Sequence, residues 1–341
     1  MCGAHAQVMS AAELSVGLRL DGVTRVQVRE ALWEGRSLVK TYGPRGTVHV
    51  LPACDLPMWL SALSSIPAVT RAPEGVRLTP EQTDQVVQAV RDVLSVVPDL
   101  TIDELSDAVI GATGPWAGDL VMPAFGGMWP RWRQAMFVAA HRGAFVFGPV
   151  RGRKVTYIAG PDGPVPLDGR GELARSYLAA YGPATPAQFA RWAGGPVAWA
   201  AEAFAAAGVE EVLFEGSPAW VLAGDTAVPD GPPRGVRLLP YFDAYLVAGM
   251  PRELLYPGPA WERALSGGQA GNFPVLLVDG AVRGVWHQRR SGSKIDVTVE
   301  PIGDLTAGQL RELDDQVERV GEILEGKPRL TIGTVTVGGH A

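Results

Sequence analysis

Apolar and polar positions recur in the same order along the first two thirds of the chain. Apolar side chains stand at helical spacing in TRVQVREALWEG, and two short alternating runs follow, SLVKTYG and TVHVLP, joined by a turn at 44–46. Three helices followed by a two-stranded hairpin form a winged-helix module, a DNA-binding variant of the helix-turn-helix, and this segment contains its last helix and its hairpin. We predict a first such unit over residues 1–70.

Two further copies of this order follow. In residues 71–163, helices are predicted to start at Thr79-Pro80 and at the capping box that Thr101 begins, PRWRQAMFVAAHRG predicts a third helix, and AFVFGP and KVTYIA predict the hairpin strands. In residues 164–224, GELARSYLAAYG, AQFARWAGG and PVAWAAEAFAAAG predict helices, and VEEVLFEG and PAWVLAG predict the closing hairpin.

The pattern changes after a Pro- and Gly-rich linker at 224–236. The segments VRLLPYF, FPVLLVDG, AVRGVWHQ, KIDVTVEP and RLTIGTVTV predict strands, and one long polar helix is predicted over 306–325. We therefore expect an α+β protein of three tandem winged-helix units followed by a small C-terminal β-barrel over residues 235–341.

The composition narrows the function classes. The chain has 341 residues, 47% of them hydrophobic and 19% charged, which is typical of globular domains, and no apolar run of about 18 residues predicts a membrane span. Cys2 and Cys54 have no metal-ligand or disulfide spacing, and the five histidines are not paired, so we expect a cytoplasmic protein with no metal and no cofactor. The abrupt start MCGAHAQ indicates that the first domain begins here or that its N-terminus is truncated.

Positive charge is concentrated in a few stretches, although the net charge of −6 argues mildly against a nucleic-acid partner. Stretches 129–154 and 283–294 contain arginine and lysine without any carboxylate, and the segment 286–294 is predicted to be a long polar hairpin loop. These side chains could instead be solvated surface. The candidate DNA contacts are Arg45, Arg131, Arg133, Arg151, Arg153, Lys154, His287, Gln288, Arg289, Arg290 and Lys294.

Four segments together resemble the winged-helix DNA glycosylases of the AlkZ/YcaQ type. They are FVFGPVRGRKVTYI, YLAAYGPATPAQFARWAGG, LLPYFDAYLVAG and VLLVDGAVRGVWHQRR, and they occur in the family's order. The resemblance implies three winged-helix units that form a cleft around DNA, a C-terminal β-barrel, and a hairpin at about 286–294 that lies against the DNA beside the lesion.

The resemblance also implies a catalytic pair near the start of the chain. Family members carry Gln-x-Gln or Gln-x-Asp near the end of an early helix, and GAHAQ stands in that place here, with His5 at the first position and Gln7 at the second. Histidine can accept a proton from water near neutral pH, and a glutamine carbonyl can orient that water. We expect His5 to be the water-orienting base and Gln7 the positioning group.

The expected substrate is double-stranded DNA that contains purines alkylated at N7 or N3, with bulky or crosslinking adducts of a genotoxic natural product as the expected lesions. The protein is then a monofunctional repair glycosylase that acts as a monomer and gives self-resistance. Two alternatives remain open at this point. The chain could be a non-catalytic winged-helix transcriptional regulator, or an inactive relative that only binds damaged DNA.

Overall fold

The computed structural model describes residues 1–67, 72–124, 127–161, 168–265 and 267–339. The predicted unit boundaries at 70/71 and 163/164 lie outside these residues. The helices are α1 (Met9–Gly17), α2 (Arg25–Trp33), α3 (Leu56–Ser64), α4 (Pro80–Val96), α5 (Ile102–Thr113), α6 (Met136–His141), α7 (Arg170–Tyr181), α8 (Pro186–Ala193), α9 (Val197–Ala207), α10 (Ala244–Ala248), α11 (Arg252–Leu255), α12 (Pro259–Ala264) and α13 (Ala307–Leu324).

The strands are mostly short and lie in hairpins. In chain order they are β1 (Ala4–His5), β2 (Leu38–Tyr42), β3 (Val48–Pro52), β4 (Leu100–Thr101), β5 (Leu120–Ala124), β6 (Gly127–Pro130), β7 (Phe145–Arg151), β8 (Lys154–Ala159), β9 (Val209–Phe214), β10 (Ser217–Leu222), β11 (Val236–Leu239), β12 (Val275–Val278), β13 (Ala281–Ser291), β14 (Lys294–Pro301) and β15 (Lys327–Ile332). No helix in the described part of the chain is both long and apolar enough to cross a bilayer.

Contacts between Cα atoms divide the chain into two compact units. The terminal unit contains Met1–Glu34, Tyr177–Gln188 and Val209–Ala341, and the central unit contains Gly35–Ser176 and Phe189–Gly208. The mixed α+β class is confirmed. The number of winged-helix units, and their boundaries at 1–70, 71–163, 164–224 and 235–341, stay predictions.

Local sequence signals explain most of the helix starts. The side chain of Thr79 accepts a hydrogen bond from the Gln82 amide at 3.1 Å, and the Gln82 side chain accepts one from the Thr79 amide at 3.0 Å, so this capping box begins α4. Thr101 begins α5 in the predicted way, with its amide donating to Glu104 at 2.8 Å. These caps confirm two predicted helix starts.

One predicted helix of the central unit is wrong over its first half. Trp129 pairs with Met122 across a hairpin of β5 and β6 that the sequence did not predict, and a short 3₁₀ turn over Arg131–Ala135 precedes α6. The Arg131 amide donates to the Asp119 carbonyl at 2.8 Å. This hydrogen bond belongs to the base of the hairpin, so the first residues of the segment are not helical. Only Met136–His141 of the predicted helix is α-helical.

The terminal unit is built on a five-stranded sheet in the order β11-β12-β13-β14-β15. Neighbouring strands are antiparallel except β14 and β15, which are parallel. Within the described residues the strand order is open at both ends, so a half-barrel stands in place of the predicted small β-barrel. The predicted Asp-Gly hairpin turn is present, with positive φ at Asp279 and Gly280.

Both faces of this sheet are covered, which fixes the position of α1. On one face, Leu14 of α1 and Leu313, Val317 and Val320 of α13 pack against buried strand residues. A Cβ on Gly17 would lie 2.7 Å from Ile323, so α1 approaches α13 too closely for any larger residue. The other face packs against residues of α10, α11 and α12, three short helices that the sequence did not predict.

In the central unit, His141 is fully buried beneath the turn that joins β2 to β3. Its Nε2 lies 3.2 Å from the Gly43 carbonyl oxygen, which can only accept, so the ring donates. Burial lowers the pKa of His141 to about 4, and the ring is neutral in the folded protein at neutral pH.

This burial predicts a loss of stability in mild acid. At pH values between about 4, the pKa in the folded protein, and about 6.5, the ordinary histidine pKa, the side chain binds a proton in the unfolded chain but not in the folded one. The free energy of unfolding should therefore fall by up to roughly 3 kcal/mol as the pH is lowered through this range. Urea unfolding of wild type and His141→Gln at several pH values measures this contribution. Parallel pH dependence in the two proteins would contradict it.

Candidate active site and nucleic-acid interface

The first residues of the chain form an extended segment with two different sides. Ala4 and Ala6 are each 1% exposed, whereas His5 is half-buried and Gln7 is exposed. The strand covers only Ala4–His5 and Gln7 lies in the bend that follows it, so the more exposed residues 5 and 7 alternate with two buried alanines. The pair precedes α1, so it lies in and just after a short strand and not near the end of a helix.

A tyrosine hydroxyl fixes the start of this segment. The amide of Cys2 donates to Oη of Tyr181 at 3.0 Å, and burial raises the pKa of Tyr181, so the phenol stays neutral. The N-terminal residues are therefore held in the terminal unit by a specific hydrogen bond.

The imidazole of His5 lies against the ring of Phe242. The two ring centroids are 4.4 Å apart and the planes are tilted by 33°. Phe242 has a φ of +53°, a left-handed conformation that is uncommon for an aromatic residue. Its amide donates to the Gly271 carbonyl at 2.9 Å, and a Cβ on Gly271 would lie 2.9 Å from the Cα of Phe242. Only glycine at 271 allows this approach.

The next residue, Asp243, is buried and has four hydrogen-bond donors. Arg19 binds the carboxylate through both terminal nitrogens, at 2.7 and 2.9 Å. The Ser15 hydroxyl donates at 2.6 Å, and the Tyr245 amide donates at 3.0 Å at the start of α10. Burial lowers the pKa of Arg19, but the charge of Asp243 and the hydrogen bond to it together raise it above its ordinary value. The Arg19 guanidinium is therefore charged.

The predicted polar loop at 286–294 is a pair of strands. Residues Gly284–Ser291 of β13 pair with Lys294–Pro301 of β14, so only Gly292 and Ser293 form the turn. Side chains alternate between the two faces as far as the turn, so this segment is an extended hairpin and not a loop. We call residues 287–298 the hairpin arm.

The hairpin arm and the His5 segment lie at the same end of the terminal unit's sheet. Leu239, the last residue of β11, pairs with Val275, and Val275 pairs with Val285 of β13. The chain from Leu239 to Phe242 therefore leaves the sheet at the end beyond which β13 continues as the arm. The indole nitrogen of Trp286 donates to the Leu239 carbonyl at 2.9 Å, which fixes this junction.

The two arginines of the arm point to opposite faces of the sheet. Arg290 pairs with Ile295 on the face that packs against α13, and its guanidinium donates to the carbonyls of Leu324 and Glu325 at 2.5 and 3.1 Å. It therefore satisfies carbonyl groups at the C-terminal end of α13. Gln288 shares that face, whereas Arg289 lies on the other.

The face that carries Arg289 is strongly basic. Arg289 is aligned with Asp296 and Arg329, and Lys294 is aligned with Lys327. All four cations are exposed. Two carboxylates of β14 lie on this side of the strand: Asp296 stands among the cations, and Glu300 is farther along and forms an ion pair with Arg263. We call Arg289, Lys294, Lys327 and Arg329 the basic face.

His287 lies on the same side as the basic face but is neutral. Burial lowers its pKa, so at neutral pH it offers a hydrogen-bonding ring and no charge. Lys327 and Arg329 are not among the predicted contacts. The predicted last strand starts at Arg329, whereas β15 starts at Lys327. A strand beginning at Lys327 would have shown both cations on one side through simple alternation.

In the central unit, acidic residues hold the cations of the predicted second wing. Arg151 forms ion pairs with Asp99 at 3.3 Å and with Glu104, and Lys154 binds Asp103 at 2.6 Å. Arg153 is exposed and makes no ion pair with a described residue. Exposed pairs of this kind are weak and are screened by salt, so a phosphate can compete for them.

The other predicted contacts of the central unit also have protein partners. Arg45 donates to the Trp192 carbonyl, and Arg131 forms an ion pair with Asp119 at 3.0 Å. The guanidinium of Arg133 lies 4.0 Å from the ring centroid of Trp129, a cation–π contact. These contacts orient the three arginines, and their binding to DNA stays a prediction.

Among the described residues, no three histidine, cysteine, aspartate or glutamate side chains lie together in a group that could hold a metal ion. The groups around His5 can act as proton and hydrogen-bond acceptors. The imidazole can accept a hydrogen bond or a proton from water, and the Gln7 carbonyl can hold that water or face a positive charge.

Comparison with known proteins identifies the family of the chain. A family model described as DNA glycosylase AlkZ-like matches residues 1–323. An interstrand DNA cross-link repair glycosylase of Streptomyces sahachiroi is 33% identical over 310 residues, which covers 84% of this chain and 80% of the relative. The solved structure of the Streptomyces sahachiroi DNA glycosylase AlkZ matches with a TM-score of 0.76 and 29% identity, over 97% of this chain and 91% of that one. The chain belongs to the AlkZ-like family of DNA glycosylases, enzymes of DNA repair that hydrolyse glycosidic bonds.

Proposed function

We propose that this protein hydrolyses the N-glycosidic bond of purines that carry a positive charge after alkylation at N7 or N3 in double-stranded DNA. The observation that carries the proposal is the position of the half-buried His5 and the exposed Gln7 at the sheet end from which the hairpin arm extends. Family membership supports glycosidic hydrolysis as the reaction.

The chemistry requires little from the protein. A cationic base leaves as a neutral molecule, so no strong acid is needed, and the sugar becomes oxocarbenium-like as the bond breaks. His5 accepts a proton from the attacking water, and the carbonyl of Gln7 orients this water and faces the positive sugar. The enzyme is monofunctional in this scheme, because water and not an amine attacks the sugar.

We further propose that the lesions are bulky or crosslinking adducts of a genotoxic natural product and that the protein acts as a monomer in self-resistance. A similar protein is named as an interstrand cross-link repair glycosylase, which supports this class of lesion. The arm is a braced pair of strands, so it can lie against a duplex without refolding. On it we assign DNA contact to Arg289 and Lys294 and bracing to Arg290.

The catalytic proposal predicts that His5→Ala and Gln7→Ala each slow base release about 100-fold or more, because each variant removes a group that acts on the attacking water. Single-turnover release of N7-methylguanine from duplex DNA measures the rate, and fluorescence anisotropy should show that DNA affinity changes little. Gln88→Ala, which removes an exposed glutamine of α4, is the matched control. Tight binding by the wild type without release would instead indicate a damage-binding protein.

The basic face predicts a charge-dependent part of DNA binding. Arg289→Ala and the double variant Lys327→Ala/Arg329→Ala should lower the affinity for duplex DNA and reduce the slope of log K against log salt by about 0.9 for each phosphate that the variant no longer neutralises. Arg290→Ala should leave this slope unchanged and lower the free energy of unfolding by about 1 kcal/mol, because it removes hydrogen bonds at the end of α13. An unchanged slope in the Lys327/Arg329 variant would remove β15 from the interface.

A further inference from the structure

We propose that Phe242 is a positioning residue for the imidazole of His5 and that the buried Asp243 carboxylate holds Phe242 in place. The inference rests on the proposed function, because it assigns a purpose to the orientation of His5. It also gives a role to the segment LLPYFDAYLVAG, which neither the proposed chemistry nor the DNA contacts use.

The contact between the two rings restricts how His5 can turn. With the ring centroids 4.4 Å apart and the planes 33° from parallel, Phe242 covers one face of the imidazole. Rotation about χ1, or a partial rotation about χ2, would move the imidazole off this ring or into it. The plane of the imidazole is therefore held, as a base that must meet a particular water molecule requires.

The backbone of Phe242 is in a conformation that needs external support. A φ of +53° is unfavourable for a residue with a Cβ and persists only where surrounding contacts enforce it. The Phe242 amide is held by the Gly271 carbonyl on one side. On the other side Asp243 is held by Ser15, Arg19 and the first turn of α10. Phe242 is therefore held on one side by its hydrogen bond to Gly271 and on the other by the hydrogen bonds of Asp243.

Asp243 itself is not suited to act on the substrate. Its Oδ1 accepts from Arg19 and the Tyr245 amide, and its Oδ2 accepts from Arg19 and Ser15. These four hydrogen bonds occupy both carboxylate oxygens, and the side chain has no exposed surface. Asp243 therefore acts through its neighbour and not as an acid or a base.

The network also connects the two sides of the His5 segment. Ser15 belongs to α1 and Arg19 follows it, so the helix that comes directly after Gln7 is bound to Asp243, while His5 contacts Phe242. One short stretch, Phe242-Asp243, thus fixes both the ring of His5 and the helix that begins two residues after Gln7.

The inference predicts that Phe242→Leu slows single-turnover release of N7-methylguanine at least tenfold, while the Kd for the same DNA changes less than twofold. Leucine keeps much of the apolar volume but lacks the flat surface that orients the imidazole. Phe242→Tyr keeps an aromatic ring at this position and should release the base at the wild-type rate. Phe273→Leu makes the same change at an aromatic ring that contacts Arg263, and it should leave the rate unchanged.

A spectroscopic measurement separates positioning from general damage to the fold. In protein with ¹³C,¹⁵N-labelled histidine, the ring protons of His5 should lose their ring-current shift in Phe242→Leu and keep it in Phe273→Leu. A Phe242→Leu variant with the wild-type rate would overturn the inference while the proposed function stands. A wild-type protein that binds the DNA but releases no base would overturn the proposed function, whatever the histidine spectrum shows.

The role of Asp243 is tested by a double-mutant cycle. If Asp243 acts through Phe242, Asp243→Asn slows release, and the double variant with Phe242→Leu is no slower than the slower single variant. Independent effects that multiply would overturn this part of the inference. If Asp243→Asn does not fold, Ser15→Ala removes one donor to the same carboxylate and replaces it in the cycle.

Discussion

The candidate site depends on one buried charge that has to be neutralised. A carboxylate removed from water is costly unless cations and hydrogen bonds compensate it, and loss of one partner from such a pair typically costs about 3–5 kcal/mol. Asp243 receives its compensation from Ser15 and Arg19, 228 and 224 residues earlier in the chain. The requirement to satisfy this carboxylate therefore brings the N-terminal segment against the end of β11, where His5 meets Phe242. The two parts of the site are then positioned by the same interaction that stabilises the fold around it.

Helix starts and hairpin turns that depend on neighbouring residues could be predicted from the sequence. Capping boxes at Thr79 and Thr101 and the hairpin turn at Asp279-Gly280 depend on residues at most four apart, and each is present where it was predicted. The pairing of His5 with Phe242 could not be found in this way. The segment around Phe242 resembles a family motif. Its role depends on contacts with residues more than 200 positions away, and the spacing of apolar residues cannot predict contacts over such a distance. The importance of His5 and Gln7 came from resemblance and not from their spacing.

The hairpin arm shows a second limit of sequence patterns. Polar residues next to glycine and serine are typical of loops, and the segment 286–294 has that composition, so its sequence predicts a loop. In the structure it continues two strands, because β13 is held by β14 along its whole polar half and β14 is held in turn by β15. Once the segment is a strand, neighbouring residues face opposite ways. Two adjacent arginines that would be equivalent in a flexible loop then have different tasks, with Arg289 in solvent and Arg290 bound to the end of α13.

The arm also leaves part of a strand edge open. Beyond Val285, no strand of the described chain pairs with the edge of β13 that faces β12, so the backbone groups of His287–Ser291 on that side can accept another extended chain. Proteins commonly protect such edges from self-association by placing charges on them. The positive charge of Arg289 serves this purpose at the open edge. An apolar substitution at this position would remove the charge and favour edge-to-edge pairing between copies of the protein.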